Sequence, residues 1–157
     1  MDVTANEDEQ ISTDEHHEKW RQKVEAWLAV CADPSGPEDA SDHLRYFKTL
    51  LASSPPSVAK VFHSTQTDRR IDSLLLQNAL ESAAAQLLAE VPHGFMISRP
   101  VAGPAICTIV LPGLSDEFTY ESSNEALAFV GALAKATIKL AHGENRPAEL
   151  AKKQVRH

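Results

Sequence analysis

FMISRPVAGPAICTIVLPGLSDEFTYESSNEALAFVGALAKATIKLAH, residues 95–142, decides the fold, because the apolar period changes within it. Phe95-Met96-Ile97-Ser98-Arg99 is short and β-prone, and Pro100-Val101-Ala102-Gly103-Pro104 follows as a loop. Ala105-Ile106-Cys107-Thr108-Ile109-Val110-Leu111 carries β-branched residues on both faces, as a central strand does. After the turn Pro112-Gly113-Leu114-Ser115-Asp116, the run Glu117-Phe118-Thr119-Tyr120-Glu121 alternates, with Phe118 and Tyr120 on one face. Residues 95–121 therefore predict a three-stranded antiparallel β-meander.

The period then lengthens. Ser122-Ser123-Asn124-Glu125 reads as a capping box opening a helix over 123–142. From Ala126 to Ala134 no side chain carries a charge or a hydrogen-bonding group. At ~100° per residue, Leu127, Phe129, Val130, Leu133, Ile138 and Leu140 spread over about 180°, against ~100° for an ordinary surface helix. This is the expected core helix. It has more apolar surface than three strands cover, so either the N-terminal helices or a second copy must cover the rest.

Upstream the pattern is helical. Residues 1–11 are acidic and poor in apolar side chains, which predicts a disordered tail. Ser12-Thr13-Asp14-Glu15 reads as another capping box, followed by the narrow stripe Trp20, Val24, Trp27 and Cys31. Asp33-Pro34 ends that helix, and Pro37 opens a second with the stripe Ala40, Leu44, Phe47 and Leu51. The two make a helical hairpin which, with a short helix carrying Val58, Val61 and Phe62, fills residues 12–63. A long helix is expected over 68–91, capped by Asp68, with Leu76, Leu80, Ala83, Ala84 and Leu87 as its main face. The fold class is thus α+β: about four N-terminal helices, the meander, the apolar helix, and a short basic helix in the segment 144–157. Residues 12–143 form one domain, as the length of 157 residues suggests.

Charge is unevenly placed. The formal net charge is −7, yet seven of the 22 acidic residues fall in residues 1–18, which hold no Lys or Arg. The rest is balanced, with 15 acidic and 15 basic residues. No apolar run reaches the ~20 residues of a membrane span, and the acidic N-terminus lacks a basic-then-apolar leader. A cytoplasmic location, with no membrane partner, is the expectation. Cys31 and Cys107 sit at apolar positions without Cys-x-x-Cys spacing, which suits buried free thiols.

No motif specifies a reaction. His16 and His17 are adjacent, so they diverge on a helix and cannot chelate as an i,i+4 pair would; no metal site or cofactor is expected. Glycines are isolated in turns, without a phosphate-cradling loop. Lys135, Lys139, Arg146, Lys152, Lys153 and Arg156 are candidate phosphate contacts, but the acidic balance and the missing basic–aromatic interleave argue against nucleic acid. Candidates for protein contact are Trp20, Val24 and Trp27, because tryptophan is enriched in interface hot spots, with Phe129, Gly131 and Leu133 on the over-wide helix. His93, Arg99, Cys107 and Tyr120 are candidates for a pocket between sheet and helices.

These features favour a small non-enzymatic interaction or accessory protein, with an unknown protein partner or self-association into a homodimer. The alternatives are a small-molecule-binding domain or minor enzyme, and a nucleic-acid-associated regulator using the basic C-terminus.

Overall fold

A computed structural model describes residues 3–62, 69–89 and 91–144, with side chains from Glu15 to His142 within those ranges. Helix α1 spans Val3–Cys31 and α2 spans Pro37–Ala52. They form the expected hairpin, and the tryptophans close it. Trp20 Nε1 donates to the Leu50 carbonyl at 2.8 Å, and Trp27 Nε1 donates to the His43 carbonyl at 2.8 Å. The Trp27 ring also lies 5.0 Å from that of Phe47. The crossed order of these bonds, early α1 to late α2, makes the pair antiparallel. One expectation fails here. α1 already begins at Val3, so the backbone of residues 3–11 is helical rather than a tail, and the box at Ser12 lies inside the helix.

A short helix α3, Pro56–Ala59, places Val58 and, just beyond it, Phe62 in the core. The long helix expected over 68–91 is instead two: α4, Arg70–Leu76, and α5, Leu80–Gln86. Asn78 breaks the run with φ 58°, a left-handed conformation that asparagine tolerates better than most residues. The Ala79 amide donates to the Leu74 carbonyl at 2.9 Å and the Asn78 amide to the Leu75 carbonyl at 3.1 Å. That pair of bonds is a Schellman motif, which terminates a helix. The turn also re-aims the chain: Leu75, Leu80, Leu87 and Leu88 are buried, while Leu76 is 78% exposed instead of lying on the core face.

The meander is as expected. Strands β1 (Gly94–Ser98), β2 (Ala105–Val110) and β3 (Phe118–Ser122) form an antiparallel sheet in the order β1-β2-β3. Phe95 pairs with Ile109 and Ile97 with Cys107; Cys107 pairs with Tyr120 and Ile109 with Phe118. Paired residues share a face, so these six lie on the inner side. Met96, Thr108 and Thr119 lie on the other side, where the two threonine hydroxyls meet at 2.9 Å.

Helix α6, Glu125–Glu144, lies against the inner face of β2 and β3 and also packs on α1, α2, α3 and α5. Every residue from Ala126 to Ala134 is buried. The apolar surface that exceeds the sheet is thus covered by the chain's own helices. Its cap is Asn124, not Ser122: Asn124 Oδ1 accepts from the Leu127 amide at 3.1 Å. Ser122 is used elsewhere, its hydroxyl donating to the Cys31 carbonyl at 2.7 Å and tying β3 to the end of α1. Ser123 adds two further ties, its amide to Ala32 and its hydroxyl to Asp33. Among the described residues no helix is long and apolar enough to cross a membrane.

Candidate functional site

β1 is an edge strand, paired with β2 on one side only among the described residues. An edge strand points alternate N–H and C=O groups away from its neighbour, where they need another partner. Pro92 and Pro100 bracket it, and no residue from Gly94 to Ser98 is charged. Its side chains are unusually exposed for their type, Phe95 at 57% and Met96 at 71%.

Beneath this edge lies a groove of about 230 Å³. Phe95 and Ile97 of β1 form one wall and Ala84 and Ala85 of α5 the other, with Ala126 and Phe129 of α6 in the first turns behind them. The Phe95 ring meets Phe129 edge-on at 5.3 Å and 88°. His93 stacks on Phe95 at 5.9 Å, held by its Nδ1 donating to the Val91 carbonyl at 2.8 Å. Arg99 and Glu125, both lining the groove, form an ion pair, and Glu81 lies on the α5 side. These polar groups can orient a bound chain but make no nucleophile–base pair.

The sequence-derived candidates divide sharply. Arg99 lines the groove and His93 adjoins it through Phe95. Cys107 and Tyr120 instead lie buried on the sheet's inner face, away from the groove. Burial pushes the Cys107 thiol up to about 11 and the Tyr120 phenol up to about 12, so both are protonated and unreactive near neutral pH. Burial likewise raises Cys31 to about 12.

The protein-contact candidates Trp20, Val24, Trp27, Phe129, Gly131 and Leu133 are all buried within the chain and present no surface to a partner, although Phe129 backs the groove. Lys135 and Lys139, proposed for phosphate, are engaged with their own chain. Lys135 Nζ donates to the Thr119 carbonyl at 2.6 Å, and Lys139 pairs with Asp116 at 3.6 Å. Arg146, Lys152, Lys153 and Arg156, with the basic terminal helix, lie outside the described residues. Among the described residues no cluster of His, Cys, Asp and Glu is placed to hold a metal ion.

Reading the sequence alone missed Phe95, Met96, Ile97, Ala84 and Ala85 as site residues. The available signal was an uncharged strand between two prolines, without the lysine that usually guards an edge. Compared with known proteins, the chain matches no family model, no curated protein and no solved structure.

Proposed function

We propose that this chain is a small cytoplasmic, non-enzymatic interaction protein that binds by accepting an extended polypeptide strand along β1. The observation that carries the reading is the unguarded edge: exposed Phe95 and Met96 on an uncharged strand, directly over an apolar groove. In strand addition the main chain supplies affinity and alternate side chains enter pockets. The groove lies where the inward side chains of a fourth strand would go, and its Arg99–Glu125 pair gives that site a polar end.

Magnitude favours this over the small-molecule alternative. A volume of about 230 Å³ falls below the ~300–1,000 Å³ typical of ligand pockets but suits one or two side chains of a bound strand. For the nucleic-acid alternative, two of the six candidate bases, Lys135 and Lys139, contact their own chain, and the other four lie outside the described residues.

The test is a phage library of random seven-residue peptides panned on the immobilised protein. Selected peptides should alternate apolar and polar residues, shift the backbone amide signals of residues 94–98 but not those of β3, and bind at least tenfold more weakly to Phe95→Lys. Failure of a monomeric chain to enrich any peptide, or binding indifferent to Phe95→Lys, overturns the reading.

A further inference from the structure

We infer that the strand accepted along β1 is β1 of a second copy, paired antiparallel about a twofold axis through Met96; the inference rests on the strand-accepting reading above. The two outer strands of the sheet are treated differently. β3 is guarded: Glu121 stands on it, Asp116 and Glu117 precede it, and the ammonium of Lys135 occupies its Thr119 carbonyl. Tyr120 and Ser122 further bind β3 to α1 through the Leu28 and Cys31 carbonyls. Among the described residues, β1 itself (Gly94–Ser98) carries no charge and no such tie, and the one charge beside it, Arg99, is paired with Glu125. Natural proteins protect an edge with charge, proline or a covering element, and an edge left apolar invites pairing.

The sequence around β1 also suits pairing with itself. Met96 is equidistant from Pro92 and Pro100, so a twofold-related strand sets each proline against the other and leaves an interior free of proline. In that register Phe95 faces the partner's Ile97 and the partner's Phe95 faces Ile97, an aromatic–β-branched pair made twice on the groove side. Met96 meets its own copy on the outer face, and Gly94 meets Ser98, small against small. No like charges are brought together within residues 94–98. The interface is isologous and closes, giving one six-stranded sheet and no further growth, because β3 is guarded at both ends.

Met96→Cys tests the register directly. At the axis the new thiol meets its own copy, while the native Cys31 and Cys107 are buried and do not compete. Mild oxidation should convert Met96→Cys to a disulfide-linked dimer, whereas Thr119→Cys, on the guarded edge, should pair through β1 as before but form no disulfide-linked dimer. Sedimentation of the unmodified chain should show twice the 17.1 kDa mass, and Phe95→Lys should weaken the dimer at least tenfold with unchanged circular dichroism. A chain that stays monomeric at 100 µM (roughly the weak limit of a specific complex) and forms no Met96→Cys dimer overturns the second copy as occupant. If a panned peptide still shifts β1 in that monomer, strand acceptance survives. If none does, both readings fall. A dimer that ignores Phe95→Lys and does not cross-link through Met96→Cys overturns this interface as well.

Discussion

Gly131 and Tyr120 show how single residues set the position of the core helix. A methyl group added at Gly131 would stand 2.0 Å from Cδ2 and 2.4 Å from Cε2 of Tyr120, far inside any permitted contact. The ring has little room to retreat, because its hydroxyl donates to the Leu28 carbonyl and Lys135 Nζ sits 5.6 Å over its face. Gly131→Ala should therefore cost about 1–3 kcal/mol, the usual penalty of overpacking, measured as a lower urea midpoint. Removing the ring by Tyr120→Ala in the same chain should make the two losses less than additive, since the clash is then gone. Independent additive losses would show that the two residues do not meet. The sequence pointed to Gly131 as a protein-contact residue and to Tyr120 as a pocket residue. Their meeting was not legible, because one lies on a strand and the other on a helix, and only the sheet register aligns them.

At the scale of elements, the legible parts were those with an unambiguous period. The meander and α6 follow from alternation giving way to an all-round apolar helix, and the hairpin of α1 and α2 follows from two narrow stripes. The break between α4 and α5 was hidden by the run Leu74-Leu75-Leu76, which continues a helical pattern straight into Gln77 and Asn78. What decides it is backbone conformation, to which hydrophobic patterning is blind. Asn78 at φ 58° is the C′ residue of α4, a position that suits glycine best and asparagine next. Asn78→Ala should thus destabilise the protein by about 1 kcal/mol, since a left-handed conformation costs an ordinary residue roughly that much. Asn78→Gly should be neutral or slightly stabilising. Thermal denaturation of both variants checks the point, and an alanine variant as stable as the parent would mean the break is not held by Asn78. The groove was illegible for a related reason: its walls come from α5, β1 and α6, and no local pattern announces their meeting.

For the whole molecule, the buried acids of the core act together on stability. Cys31, Cys107 and Tyr120 are all raised, in each case first by burial, then by a nearby negative group: Asp39, Glu125 and the Cys31 thiolate respectively. Their ordinary values are 9.0 for the thiols and 10.0 for the phenol. Below about pH 9 both folded and unfolded chains hold these protons, so their contribution to stability is fully present. Above it the unfolded chain releases them while the folded chain keeps them, until the raised values of about 11 to 12 are reached. The unfolded state then binds fewer protons than the folded one, and stability must fall as pH rises. The urea midpoint should stay level from about pH 7 to the ordinary thiol range, then drop steeply toward pH 11. Replacing both cysteines by alanine lowers the midpoint throughout, because it opens cavities, but should also delay the alkaline drop by about one pH unit, to where the phenol begins to titrate. A midpoint as high at pH 11 as at pH 8, or a drop that starts at the same pH in the double variant, would place these three groups in contact with water in the folded protein. It would thereby remove the closed core on which the contrast between a sealed interior and an open β1 edge depends.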